Sequence, residues 1–374
     1  MNPTFSIIIP CYNQAIYLSD CLNSLIEQSF NEWEAIVVDD GSTDNTKEVA
    51  TFFSQRDSRI KLAEKNNGGL SSARNAGIKK AIGDRLIFLD ADDYLYTCAL
   101  QEIYIVGKQL DDFTLIQYGY SYITEDKSQL LHTSLPLNRQ NLIPDIFYSV
   151  PGPCHTICIS KKLTNIIGDF DEQLKSLEDW DFWLRAAKAG ATKKIISEPL
   201  AYYRYVKNSM SRNPFVMFNA FKSVANKAIL KDIRINIESI DNRDYNFDNT
   251  KVIQEALIRM MGVGIMQNNI DETLELFIKE SPKDIAAYEP QEFEIMCSYL
   301  TFRYWYGEED VTMVLEKIKP LFILFFKKAG YKDAFTQRII FFIFKRHFYY
   351  RNIYRYGKFI GSGLNFINRK LHQL

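Results

Sequence analysis

RLIFLDADD (residues 85–93) sets an apolar run, Leu86 to Leu89, directly against three carboxylates within four positions. A short apolar run ended by charge reads as a buried strand reaching its rim. Asp90, Asp92 and Asp93 repel one another there, because the effective dielectric at a core edge lies well below that of water. A partner of opposite charge is therefore expected. A hard divalent cation, Mg2+ or Mn2+, is usually held by one or two carboxylates together with phosphate oxygens. Asp93 also suits the cap of a helix running from about Tyr94 to Lys108.

Working outward, FSIII (5–9), WEAIVV (33–38) and RIKLAE (59–64) are further strand-like runs. Between them Leu18, Cys21, Leu22 and Leu25 recur at helical spacing. Residues 70–82 suit a helix stopped by Gly83. Strand and helix alternating in this way imply βαβ units and a mostly parallel, Rossmann-like sheet flanked by helices. Ligands then bind at the carboxyl ends of the strands. That places Cys11-Tyr12-Asn13, Asp39-Asp40-Gly41-Ser42 and Asp90–Asp93 along one rim. From 114 to 205 the pattern is mixed, and from about 215 it is helical. The Ser, Asn and Pro of SMSRNP mark the change. The expected division is an α/β domain over 1–212 and a mainly helical domain over 213–374.

A chain of 374 residues exceeds the usual single core, which agrees with two domains. The net charge of −1 hides an uneven distribution. Lys317 to Leu374 holds thirteen Lys or Arg against one acid, Asp333, so the remaining 316 residues carry −13. A basic, aromatic tail on an acidic body points to an anionic surface. The alternative is a helical domain that turns its aromatics inward. The six cysteines are scattered and read as reduced thiols of a cytoplasmic protein. CHTIC (154–158) lacks a second ligand pair at zinc spacing. The first fifteen residues read as a strand and polar turn rather than a leader, and no apolar stretch reaches the ~18 residues of a membrane span.

The first strand leads into PCYNQ, not G-x-G-x-x-G, which argues against a dinucleotide fold. After the second strand, Asp39 and Asp40 can accept hydrogen bonds from a base or ribose while Gly41 turns the chain. Ser42 or Thr43 is placed to cap the helix over 45–54. KNNGGLSSARNAG (65–77) opens a helix with Gly68-Gly69 and sets Arg74 one turn in, an arrangement that suits phosphate but is also ordinary loop chemistry. In SLEDWDFWLRAAKAG (176–190), Glu178, Asp179 and Asp181 begin a helix, where the macrodipole favours anions. Trp180 and Trp183 suit a sugar-binding wall beside a general base, or equally a core.

FSIIIPCYNQAIYLSDCLNSLIEQSF, EAIVVDDGSTDNT, NNGGLSSARNAG, GDRLIFLDADD and EDWDFWLRA, in this order, resemble the inverting, nucleotide-sugar-dependent glycosyltransferases of family 2, with the GT-A fold. The resemblance covers about residues 4–210. It implies a base pocket of Pro10, Tyr12 and Asp40, with Tyr12 stacked on uracil and Asp40 accepting its imide N–H. It places Lys65, Asn67 and Arg74 near base and diphosphate, and Asp90 at the ribose. Asn13, Asp39 and Gly69 fall within the same nucleotide-binding motifs. It implies Asp92, with Asp90, as metal ligand, Asp179 as catalytic base and Glu178 as its orienting partner. Trp180, Trp183, Arg185 and His155 are the expected wall for donor and acceptor sugars. Many relatives carry a histidine two residues past YYR (202–204); here that position is Val206, with Lys207 and the serines of NSMS as candidates to compensate.

The resemblance implies a nucleotide-sugar donor, a uridine one, with Mn2+ or Mg2+ as cofactor. The acceptor would be a saccharide or a polyprenyl-diphosphate-linked saccharide. The protein would attach peripherally to the inner face of the cell membrane through its basic tail, in cell-surface polysaccharide synthesis, with no nucleic-acid partner. A nucleotidyltransferase would carry a Gly-rich basic loop after the first strand, which PCYNQ is not. A non-catalytic saccharide-binding module would have lost Asp92 or Asp179, and both are present.

Overall fold

The computed structural model describes residues 3–137, 139–206, 209, 212–298 and 314–351. It opens with β1 (Phe5–Cys11), α1 (Ala15–Ile26), β2 (Trp33–Asp39), α2 (Thr46–Arg56), β3 (Ile60–Glu64), α3 (Leu70–Lys80) and β4 (Arg85–Phe88). These strands lie parallel in the order β3-β2-β1-β4. Every residue of β1, β2 and β4 is buried, which is why they read as continuous apolar runs: helices cover both faces. Ile7 and Ile9 belong to the core formed with Leu18, Leu22 and Leu25 of α1. On the opposite face α3 comes so close that a Cβ on Gly77 would lie 2.3 Å from Ile8 Cγ2.

Next come β5 (Tyr94–Leu95), α4 (Ala99–Gly107), β6 (Thr114–Ile123), β7 (Leu130–Ser134), β8 (Ile157–Ser160), α5 (Lys161–Ile167), α6 (Glu178–Lys188) and β9 (Thr192–Arg204). The sheet continues past β4 as β8-β6-β9-β5, with β7 on β6. The expected helix over 94–108 therefore starts late, at Ala99. Tyr94 and Leu95 pair instead with Tyr202 and Ala201, so Asp93 is not a helix cap. Nor do Ser42 or Thr43 cap α2. Asp44 accepts from Thr46 N at 3.0 Å and, with its other oxygen, from Ala15 N at 3.1 Å, so one carboxylate serves the starts of two helices.

The chain divides into two compact units, Met1–Lys207 with Ser223–Phe247, and Asn208–Lys222 with Asp248–Leu374. The expected boundary at 212 is too simple, because Ser223–Phe247 packs back onto the first unit. Lys227 bonds Asp171 at 2.7 Å, Arg234 bonds Asp181 at 2.9 Å, and the Tyr245 ring packs on Phe147.

The second unit is helical, with α7 (Thr250–Met266), α8 (Ile270–Glu280), the helix Lys319–Lys328 and a helix over 333–351. Leu257, Met261 and Phe277 share its core with Phe322, Phe325, Phe326 and Phe344. Phe322, Phe325, Phe326 and Phe344 of this basic stretch thus turn inward, whereas Phe341 and Phe342 are half-buried and Tyr349 and Tyr350 are exposed. The rest of the tail, from residue 352, lies outside the described residues. No helix among the described residues is long and apolar enough to cross a membrane.

Candidate active site

The turns after β1 and β2 are locked together. Asn13 holds a left-handed conformation (φ 54°), which asparagine tolerates better than most residues. Its N–H donates to Ser42 Oγ at 3.0 Å, and its side-chain oxygen accepts from Thr43 N at 2.8 Å. Asp39 accepts from Ser42 N at 2.9 Å. Asp40, only 2% exposed, accepts from Lys65 Nζ at 2.6 Å, Gly68 N at 3.0 Å and Gly69 N at 2.7 Å. The carboxylate expected to meet a uracil N–H is thus turned into the loop before α3. Gly41 (φ 77°) must be glycine, since a Cβ would lie 2.9 Å from Asn67 N. Pro10 is buried beneath this rim, whereas Tyr12 is 49% exposed and Asn67 is also open to solvent. A free aromatic face beside a polar loop is what stacking on a base requires.

The chain turns after β4, with Asp93 N donating to Asp90 O at 3.0 Å. Arg204, at the end of β9, fixes the turn. Its N–H donates to Asp93 Oδ1 at 2.8 Å, Nε to Asp92 O at 2.9 Å and Nη2 to Asp20 Oδ2 at 2.7 Å. Burial, then the charges of Asp93 and Asp90, push the Asp92 carboxyl up to about 8. Asp93 is fully buried and is also raised, chiefly by burial. The buried His155 ring sets Nδ1 2.9 Å from Asp93 Oδ2. Burial opposes its charge, but Asp93 and then Asp90 and Asp92 raise its pKa overall. Donor atoms of Asp90, Asp93 and His155 lie within 4.8 Å of one another. Two carboxylates and an imidazole fit a divalent ion such as Mn2+. This group retains Asp90 from the expected ligand pair but contains Asp93 and His155 in place of Asp92. His155 is therefore a member of the carboxylate cluster, closed to solvent, and not a sugar-contacting wall.

The third part of the site is the start of α6, entered through Leu177 at φ 56°. Glu178 Oε1 accepts from Arg74 Nη1 at 2.5 Å, and Arg74 Nη2 donates to Asp90 Oδ1 at 2.8 Å. Arg74 is 2% exposed, so the guanidinium expected at a diphosphate instead bridges the two acidic motifs. Asp179 is partly open to solvent and accepts from Trp180 N at 2.7 Å. Burial, then the Glu178 charge, raise it to about 7.

Trp180 and Trp183 are both 0% exposed and cannot form a sugar wall. Trp180 Nε1 donates to Ile146 O at 2.7 Å. Arg185 is equally buried, bonding Asp181 at 3.2 Å and the carbonyls of Gly168 and Asp169 at 3.0 and 2.7 Å, which closes the end of α5. Arg204 and Asp20 are the structural partners that motif reading missed. YYR (202–204) was the only signal for the arginine, and its role needed the register of β9. Val206 is partly buried, and Lys207 with most of NSMS lies outside the described residues.

Comparison with known proteins fits this arrangement. The model of glycosyl transferase family 2 matches residues 6–163. The Bacillus subtilis glycosyltransferase EpsJ is 31% identical over 226 residues, spanning 58% of this chain and 65% of that protein. TuaG of Bacillus subtilis, a glycosyltransferase named for teichuronic acid biosynthesis, is 31% identical over 217 residues, 57% of this chain and 83% of its own. The crystal structure of S. aureus TarS (1–349) with UDP superposes with a TM-score of 0.51 at 20% identity, over 96% of this chain and 92% of that one. That likeness concerns the fold, and it agrees with a GT-A arrangement followed by a helical region. The chain belongs to glycosyl transferase family 2.

Proposed function

We infer that the protein transfers a sugar from a nucleotide-sugar donor to a saccharide, or lipid-linked saccharide, acceptor in cell-surface polysaccharide synthesis, with inversion at the anomeric carbon. The observation that carries this reading is the Asp90–Arg74–Glu178 bridge, which joins the carboxylate turn after β4 to the partly open Asp179. A raised carboxyl near neutral pH suits a general base. Asp179 takes the proton of an acceptor hydroxyl as that oxygen attacks the anomeric carbon. The bond to the diphosphate oxygen breaks, and the nucleoside diphosphate leaves with the electron pair. With one base and no covalent intermediate, an α-linked donor gives a β-linkage. Arg74 holds Glu178 in place beside the base. Asp90, Asp93 and His155 would hold a divalent cation, which when bound offsets charge on the departing diphosphate.

A uridine donor is the favoured choice, in line with TarS, which has been crystallised with UDP and with UDP-GlcNAc. The names of TuaG and its teichuronic acid pathway support a polysaccharide acceptor. The basic C-terminal segment supports attachment to the inner membrane face. Incubating the protein with a panel of nucleotide sugars and saccharide acceptors tests the reading. Release of nucleoside diphosphate with formation of an inverted glycoside is expected. Nucleotide-sugar synthesis from a sugar phosphate, or no turnover with any donor, would overturn it.

A further inference from the structure

With the tryptophans of α6 buried, the aromatic surface beside the carboxylates is supplied by tyrosines at the end of β6 and β9. Along β6, residues Leu115 to Gly119 are buried, and from there burial alternates. Ser121 and Ile123 stay inside, whereas Tyr120 and Tyr122 are half-buried, so only the tyrosine side of the strand end is open. Residues directly opposite in neighbouring strands share a face. Tyr120 therefore stands with Ala201 and Ser134, and Tyr122 with Tyr203 and His132. The Tyr203 ring centroid lies 4.8 Å from that of Tyr122, 5.9 Å from Tyr120 and 5.2 Å from His155. His155 in turn meets Asp93 at 2.9 Å, so the tyrosines run up to the carboxylate turn. Burial, then Tyr122 and the charges of Asp93, Asp92 and Asp90, raise the pKa of the Tyr203 hydroxyl, which reflects the same nearness.

We propose that Tyr120, Tyr122 and Tyr203 form the platform on which an uncharged pyranose ring of the acceptor stacks, beside the carboxylate turn. The inference rests on the transferase reading for calling that ring the acceptor, but not for its binding. The face of an aromatic ring is electron-rich and attracts the polarised C–H bonds along one side of a pyranose, and a tyrosine hydroxyl adds a polar handle. His132 and Ser134 place further polar groups at the border, on β7. Charge selects the kind of sugar. Neither Lys nor Arg stands at these positions, and Arg204, next to Tyr203 in β9, belongs to the opposite face and bonds Asp20. A carboxylated ring would lie beside Asp90 and Asp93 with no cationic side chain of the platform to offset its charge.

Saturation-transfer-difference NMR on the full chain tests this, with aromatic protons irradiated. The probes are the methyl glycosides of glucose, galactose, N-acetylglucosamine and glucuronic acid. At least one neutral glycoside should take up saturation along one side of its ring, and more of it than the glucuronide does. Tyr120→Leu and Tyr122→Leu should each weaken that binding about tenfold, and Tyr122→Phe should retain it. In turnover, the Leu variants should raise KM for the acceptor about tenfold relative to KM for the donor. Circular dichroism establishes whether they are folded. If neither is, the wild-type pattern and Tyr122→Phe decide alone. No saturation of any neutral glycoside, unchanged binding in both folded Leu variants, loss of binding in folded Tyr122→Phe, or preference for the glucuronide would overturn the inference. Sugar transfer alongside any of these results would leave the transferase reading standing. Tyrosine-dependent binding of a neutral glycoside without transfer would sink that reading alone.

Discussion

Arg74 and Glu178 are 104 residues apart in sequence and meet in a buried ion pair at 2.5 Å. The pair draws the helix that begins with the base towards the helix that follows the glycine loop. Removing one partner leaves the other charge buried and unpaired. Arg74→Met should therefore lower stability by about 3–5 kcal/mol. Adding Glu178→Gln should recover part of that loss, as measured by urea unfolding at neutral pH. Equal stability of the single and double variants would show that the pair is not coupled.

The Asp179 carboxyl, raised to about 7, gives a pH dependence with a definite sign. The base must be ionised, so kcat/KM should rise as pH passes through about 7 and level off above it. Asp179→Asn should cost about 100-fold or more in transfer while donor binding persists. Stability should move the other way. Because the folded pKa lies above the unfolded one, this group favours folding below its unfolded pKa, and that contribution is lost as pH rises through about 7. Asp179→Asn should therefore melt higher than wild type at pH 8, with the gap closing at pH 4.

Arg204 holds the carboxylate turn through the backbone of Asp92 and the side chain of Asp93. Arg204→Met should cost about 1–3 kcal/mol by removing the donors to the Asp92 and Glu125 carbonyls and freeing the turn, while Lys127 still pairs with Asp20. Hydrogen exchange should speed up across residues 90–95 before any change in β1 or β2.

Trp180→Ala should act on the fold and not on sugar recognition, costing about 3–5 kcal/mol as a large core truncation. Trp180→Phe, which keeps most of the volume, should leave the acceptor KM unchanged. A raised KM with unchanged stability would restore the tryptophan to the binding surface.

The basic C-terminal segment should bring the full chain down with anionic liposomes at low salt and release it as salt rises. Neutral liposomes should leave it in solution, as sedimentation would show.

The strands around the site were legible because β1, β2 and β4 are buried on both faces and read as plain apolar runs. Their ends brought the polar clusters to one rim, as expected. The direction of each carboxylate was not legible. Asp93 is oriented by Arg204, 111 positions away, and by His155, so no local pattern distinguishes it from a helix cap. The tryptophans were ambiguous for a related reason. Helix α6 carries Asp181, Arg185 and Lys188 on what looks like a solvated face, yet all three are buried. Asp181 and Arg185 pair with each other, and Lys188 donates to the carbonyl of Lys227 at 3.0 Å.

The return of Ser223–Phe247 to the first unit also sets an order of events during synthesis. Asp181 is sealed in that unit, and its partner Arg234 is made more than fifty residues later. A ribosome that has released only the motif-bearing part leaves this carboxylate with Arg185 alone, still lacking Lys227 and Arg234. The nascent first unit is therefore expected to stay open, and exposed to proteases and chaperones, until residue 247 has left the exit tunnel. A fragment ending at 212 would remain in that unfinished state, whereas one that keeps the returning segment could close.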